Sequence, residues 1–176
     1  GNLTGLPVNQ SQALSVIFYP EEDAAELTWK SSDNTVVSVN KNGVITANSY
    51  GDAVIKATNT VTGEAVSIKV HTLFSDVSDS SISYFKPVYW AADKGITTEK
   101  EAFGASNNCN RGQMLVFLFR VARNYRSSSV AVDNTYENPF TDVKAENSFY
   151  KPVVWAYKHG ITIDNGDHLF KPQGNV

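Results

Sequence analysis

The sequence predicts two domains, an all-β sandwich followed by a mainly α-helical repeat module. In residues 1–72, short runs rich in Val, Ile and Thr alternate apolar with polar residues, and Pro, Gly, Asn and Asp separate them. Residues 73–176 contain one stretch twice, SYFKPVYWAADKGIT from Ser83 and SFYKPVVWAYKHGIT from Ser148. The copies are identical at 9 of 15 positions with an offset of 65, which indicates an internal repeat.

The first domain is expected to be a sandwich of the seven-strand type. Its alternating runs are residues 14–19, 26–29, 36–39, 44–47, 53–58 and 65–70. Asn42-Gly43 is a strong hairpin signal because both residues tolerate positive φ, and Thr62-Gly63 is expected to close another hairpin. Trp29 is predicted to be mostly buried between the sheets, with a sugar-stacking platform as the alternative.

The boundaries of the second domain follow from the repeat. Repeat one covers residues 74–123, residues 124–139 form a polar linker with limited order, and an incomplete repeat two covers residues 140–176. The two domains meet at residues 70–73 without Gly or Pro, which predicts a packed, semi-rigid junction.

Each copy is predicted to form a helix of two to three turns. A proline suits its first turn and a glycine the left-handed position past its end, as Pro87 and Gly95 do in the first copy. The two helices are expected to pack against each other along the faces next to Trp90 and Trp155. A longer helix follows in repeat one, capped by Asn108 or Asn110.

A Phe-x-Asp-Val element precedes each copy. Its carboxylates, Asp76 and Asp142, could be read as an acid/base pair. Because each lies just before a helix at an equivalent repeat position, local capping or turn hydrogen bonds are the simpler interpretation.

Composition argues against several classes of function. A net charge of -3 and a pI near 5.6 argue against nucleic acid as a partner. The longest apolar run has six residues, 114–119, so no membrane insertion is expected. The three histidines are scattered and Cys109 is the only cysteine, so we expect no metal site, no cofactor, no catalytic residue and no enzymatic activity.

Two resemblances rest on these residues. Trp-Lys-Ser-Ser-Asp, Asn-Gly-Val-Ile-Thr-Ala and Gly-Asp-Ala-Val-Ile, within residues 10–70, resemble the bacterial Ig-like domain of group 2. Phe-x-Asp-Val, the Trp-Ala helix ending in Gly-Ile-Thr, and Asn110-Arg111-Gly112-Gln113 before an apolar helix resemble the S-layer homology (SLH) repeat, whose signature reads Thr-Arg-Ala-Glu/Gln.

The resemblance implies a non-catalytic, extracellular module of a bacterial cell surface that attaches to cell-wall polysaccharide. Arg111 would contact anionic sugar groups, with Asn110 and Gln113 beside it; the alternative is an Arg that pairs within the repeat interface. Trp90 and Trp155 are candidate surfaces for a sugar ring. Two other functions remain open: an adhesion module that binds another surface protein, and the non-catalytic tail of a surface enzyme.

Overall fold

The computed structural model describes residues 1–16, 27–125 and 136–176. Within those ranges, seven strands precede three helices. The strands are β1 (Asn2–Pro7), β2 (Ser11–Ala13), β3 (Leu27–Ser31), β4 (Val37–Val39), β5 (Val44–Ala47), β6 (Asp52–Asn59) and β7 (Ala65–Leu73). The helices are α1 (Phe85–Asp93), α2 (Arg111–Tyr125) and α3 (Tyr150–Lys158).

The strands form two sheets that share one core. The first sheet has the order β1-β7-β6-β3 and the second β2-β5-β4. All pairs are antiparallel except β1 with β7, which is parallel. Strict alternation explains the layering: Ala53, Ile55 and Ala57 of β6 are buried, while the residues between them are exposed. The β-sandwich prediction is therefore confirmed by the sheet layout.

Both hairpin signals form turns. Asn42-Gly43 lies between β4 and β5, and Gly63 lies between β6 and β7; both glycines have positive φ, 75° and 77°. A Cβ on Gly43 would come within 2.5 Å of the Trp29 ring, so the indole lies directly over the hairpin. Trp29 packs against the sandwich core with only a minor part of its surface exposed, which agrees with the prediction that it is mostly buried.

Two strands, β1 and β2, were not predicted from the sequence. β1 contains Gly5 and Pro7 and lacks clear alternation, and β2 has only three residues, all exposed. The strand predicted over residues 14–19 is not seen at 14–16, and residues 17–19 lie outside the described part of the chain.

Aromatic packing joins the sandwich to the start of repeat one. β7 runs on to Leu73, and the next residue, Phe74, is fully buried. Its ring stacks on Tyr50 with centroids 4.6 Å apart, and its backbone N–H donates to the Tyr89 hydroxyl at 2.8 Å. That hydroxyl donates in turn to the carbonyl of Val77 at 2.6 Å. Burial raises the pKa of Tyr89 to about 12, so the hydroxyl keeps its proton at neutral pH.

Contacts divide the chain into two compact units. Unit 1 comprises residues 1–89 and 99–105, and unit 2 comprises residues 90–98 and 106–176. Repeat one therefore contributes to both units, whereas the described part of repeat two belongs to unit 2 alone. The domain boundary after residue 72 stays a prediction.

Unit 2 is organised by packing of α2 on α3. The buried residues of this core are Leu115, Phe119, Phe140, Val143, Val153, Trp155, Ala156 and Phe170. The sequence predicted that the two Trp-containing helices, α1 and α3, pack against each other. That prediction is wrong, because the helix that packs on α3 is α2. Leu115 and Phe119 lie one helical turn apart on α2, so they form one face for α3.

The expectation of a mainly helical second domain is not confirmed. The three helices have 9, 15 and 9 residues, and much of the described region between them consists of turns and loops. α2 extends to Tyr125, so the linker predicted from residue 124 begins inside the helix. Residues 126–135 of that linker lie outside the described residues.

Candidate functional site

The signature Asn110-Arg111-Gly112-Gln113 forms the start of α2. The Asn110 side-chain oxygen accepts a hydrogen bond from the Gln113 backbone N–H at 2.8 Å, and the Gln113 side-chain oxygen accepts from the Asn110 N–H at 3.0 Å. This reciprocal arrangement is a capping box, which satisfies two donors that the helix leaves unpaired. Of the two proposed caps, Asn110 is the one used.

A segment of repeat two lies along this helix start. The N–H groups of Arg111 and Gly112 donate to the carbonyls of Gly174 and Pro172, at 2.8 and 2.9 Å. Asn110 forms an isolated antiparallel bridge with Asn175. The Asn110 amide also donates to the Gln173 side chain at 3.0 Å. Because these helix N–H groups already have protein acceptors, they are not free to bind an anion.

Arg111 is held by contacts with Phe170 but remains accessible to solvent. Its Nε donates to the carbonyl of Phe170 at 3.0 Å, and its guanidinium carbon lies 4.8 Å from the centroid of the Phe170 ring. The residue is exposed, and among the described residues the two terminal nitrogens have no hydrogen-bond acceptor. Arg111 therefore pairs within the repeat interface through one edge and presents the other edge outward.

Gly112 stands where the family signature has Ala, and the packing around it explains this departure. A Cβ on Gly112 would lie 2.8 to 3.0 Å from three atoms of the Phe149 ring. Contacts this short are not tolerated, so the ring of repeat two occupies the place of the missing methyl group. Glycine lets α2 approach repeat two at the point where Arg111 is held.

The two candidate tryptophans have different environments. Trp155 is 7% exposed and meets Phe119 edge-to-face with centroids 5.6 Å apart, so its ring belongs to the core and has no face open to a sugar. Trp90 is 45% exposed. The structure thus brings Asn110, Arg111 and Gln113 together and separates Trp155 from a surface role.

Asp76 and Asp142 have a shared role that the sequence did not reveal. Asp76 accepts hydrogen bonds from the N–H groups of Phe103, Gly104 and Ala105, at 2.7 to 2.9 Å. Asp142 accepts from Phe170 and Lys171, at 2.8 and 2.7 Å. The partners lie 27 to 29 residues away, so the prediction of local capping or turn bonds is wrong. Each carboxylate fixes the Phe loop of its own repeat, and in repeat two this places the Phe170 carbonyl that holds Arg111.

Hydrogen bonding controls the charge of Asp76. Partial burial works to raise its pKa, but the backbone N–H groups of Ala105, Phe103 and Gly104 outweigh burial and hold the pKa below the ordinary value of 3.8. The carboxylate is therefore ionised at neutral pH, when it is the better hydrogen-bond acceptor.

Searches for other chemistry in the described residues give two negative observations. No group of three or more His, Cys, Asp or Glu side chains there could hold a metal ion. No helix among them is long and apolar enough to cross a bilayer.

Comparison with known families assigns both regions. Residues 2–84 match the bacterial Ig-like domain (group 2), and residues 73–115 and 139–176 match the S-layer homology domain. Comparison with curated proteins gives no match.

Two solved structures are similar to parts of the chain. A GH10 xylanase from termite gut that contains a bacterial Ig-like domain is 27% identical over 41% of this chain and 18% of its own, with a TM-score of 0.36. An intimin mutant from EHEC O157:H7 is 30% identical over 26% of this chain and 25% of its own, with a TM-score of 0.25. The chain thus spans a quarter or less of either protein.

Both matched families are non-catalytic modules typical of extracellular proteins held at the bacterial cell wall, where S-layer homology domains bind polysaccharide. The family matches and the order of sandwich and repeats agree with each other. In this chain a bacterial Ig-like domain of group 2 is followed by S-layer homology repeats, an arrangement typical of bacterial cell-surface proteins.

Proposed function

We infer that the chain attaches its parent protein to an anionic cell-wall polysaccharide through Arg111, with the Ig-like domain as a spacer. The outward edge of the Arg111 guanidinium carries the inference. A planar fork pairs bidentately with a carboxylate or phosphate, and the Phe170 carbonyl and ring already fix its orientation, so little conformational entropy is lost on binding.

The neighbouring side chains have supporting roles. Asn110 and Gln113 use their side-chain oxygens in the capping box, so they position Arg111 rather than replace it as an anion ligand. The Gln113 amide nitrogen remains as an additional donor for a sugar oxygen. Trp90 is the one of the two candidate tryptophans with surface left for a sugar ring.

Arg111→Ala tests the proposal by binding to purified wall polysaccharide. Loss of a charge-assisted contact of about 1.5–3 kcal/mol predicts affinity about 10- to 150-fold weaker. Arg123→Ala is the matched control, because Arg123 lies exposed on the same helix with its guanidinium carbon 5.9 Å from the Phe119 ring. Equal losses for the two variants would contradict the proposal.

The same variant also loses structural contacts, so its stability needs a separate measurement. Removing the Nε bond to Phe170 and the ring contact should lower the free energy of unfolding by about 1 kcal/mol. Arg111→Lys keeps the charge but loses the planar fork. Arg111→Lys should bind with intermediate affinity if the planar fork recognises the ligand. Unchanged affinity would mean that the site needs a positive charge but not the fork.

A protein partner is the second candidate. Trp90, Met114 and Leu118 are exposed apolar residues of unit 2 and could contribute to a protein interface. Pull-down on cell-wall sacculi, before and after removal of the secondary polysaccharide, separates the two functions. Retained binding on stripped sacculi would exclude the glycan function and support the protein partner.

A further inference from the structure

The outer face of the four-stranded sheet carries an unusual arrangement of charge. Alternation turns one set of residues on β3, β6 and β7 away from the core. The members of this face are Thr28, Lys30, Asp52, Val54, Lys56, Thr58, Ser67, Lys69 and His71. Three of them are lysines and one is an acid, although the whole chain has a net charge of -3. The face is therefore a local basic surface on an acidic protein.

Strand register places the lysines in a row across this face. Lys30 lies directly opposite Lys56 on the neighbouring strand. Lys56 lies opposite Ser67, which makes Lys69 its diagonal neighbour on β7. Direct cross-strand neighbours have Cβ atoms about 5 Å apart and diagonal ones about 7–8 Å apart. The three lysine positions thus form a row across three strands.

Among the described residues of the sandwich, an acid neutralises only Lys69 of this row. Asp52 pairs with Lys69 at 3.2 Å and with His71 at 2.9 Å. Within the described residues, Lys30 and Lys56 have no ion pair. Like charges directly opposite each other destabilise a sheet, so this pair lowers stability without a compensating contact. An external anion would supply the missing counter-charge.

We propose that this face, named here the lysine face, binds an anionic polymer whose repeating phosphodiester groups lie along Lys30, Lys56 and Lys69. Lysine binds phosphate as a point charge, and the hydroxyls of Thr58 and Ser67 on the same face can donate to its oxygens. Apart from Val54, and Ala65 opposite Thr58, this face is polar, unlike the apolar core of a protein–protein interface. An extended polyanion fits these features, and its binding does not depend on Arg111.

The test measures binding of fluorescent poly(glycerol phosphate) to the whole chain at low salt, with dextran as the neutral polymer. Lys30→Gln/Lys56→Gln should weaken binding at least about tenfold and make the salt dependence shallower by about two charges. Lys41→Gln/Lys86→Gln, on two exposed lysines outside the face, removes the same charge and should change binding less than about twofold. Arg111→Ala, measured in parallel, separates binding at the repeat site from binding at the lysine face.

Three results would overturn the proposal: no binding of poly(glycerol phosphate), equal binding of dextran, or equal losses in the two double variants. The last would indicate attraction to overall charge alone. Failure to fold is not expected, because all four substituted side chains are exposed and circular dichroism can verify the fold. If Arg111→Ala alone abolished binding, the polymer would belong to the repeat site instead of the lysine face.

Discussion

The two repeats share the same motif, yet equivalent residues in them are buried to very different degrees. Trp90 of repeat one is exposed, whereas its equivalent Trp155 is buried. The order reverses at the following turn, where Ile96 is 4% exposed and its equivalent Ile161 is 47% exposed. A motif that is nearly the same in sequence is therefore not the same in packing.

The position of α2 accounts for both differences. Arg120 and Asn124 of α2 donate to the carbonyls of Ile96 and Lys94, both at 2.7 Å, and so cover the turn of repeat one. Through Phe119, α2 also covers Trp155 of repeat two. The long helix thus covers the turn before it and the tryptophan after it, so the burial of equivalent residues is decided by where α2 packs and not by the motif alone.

Substituting the tryptophans should give the largest contrast. Trp155→Ala removes a core side chain and should lower the free energy of unfolding by about 3–5 kcal/mol. Trp90→Ala removes a side chain that is almost half exposed and should cost about 1 kcal/mol or less. Chemical denaturation of both variants measures the difference. Similar losses would mean that Trp90 is packed as well as Trp155.

The isoleucines should show the opposite order. Ile96→Ala should cost about 2–4 kcal/mol because it leaves a cavity at a buried position, and Ile161→Ala about 1 kcal/mol or less because that residue is exposed. If α2 did not contribute to the burial of Ile96, the two isoleucine variants would have equal denaturation midpoints.

Gly112 tests how closely α2 approaches repeat two. Gly112→Ala gains about 1 kcal/mol of helix propensity but overpacks the Phe149 ring, which costs about 1–3 kcal/mol, so net destabilisation is expected. In a Phe149→Ala background the clash disappears, and the same substitution should stabilise the protein. A double-mutant cycle of thermal unfolding shows this change of sign. The contact would be refuted if the effect of Gly112→Ala were the same in both backgrounds.

The repeat aspartates should give a smaller, pH-dependent contrast. Asp76→Asn should cost about 1–2 kcal/mol at neutral pH, and more than Asp142→Asn, because Asp76 accepts from three N–H groups and Asp142 from two. The folded pKa of Asp76 is below 3.8, so its contribution is present above that value and lost as pH falls through the folded pKa. Melting temperatures of Asp76→Asn and the parent chain should converge in acid. A constant gap would exclude this linkage.

Sequence reasoning succeeded where the signal was local. Asn42-Gly43 predicted its hairpin because two adjacent residues determine such a turn. The sequence predicted a cap at Asn108 or Asn110, and Asn110 forms it with Gln113, which is three residues away. Gly95 and Gly160 likewise adopt positive φ, 65° and 67°, just past their helices.

It failed where partners are distant in the chain. Nothing near Asp76 in the sequence indicates the loop 27 to 29 residues later that supplies its donors. The carbonyl that holds Arg111 comes from Phe170, 59 residues away. Arg111 could therefore be named as a candidate from its motif, but its orientation depends on tertiary packing that no local pattern encodes.

The place of β7 in its sheet has a mechanical consequence for a tether. Tension that enters through repeat one reaches the sandwich at Leu73, the last residue of β7. β7 is an inner strand, hydrogen-bonded to β1 on one side and β6 on the other. Because sheet hydrogen bonds run across the strands, a pull along β7 loads both ladders in shear, and many bonds must break together. The Ig-like domain is thus expected to transmit force from the wall without extending.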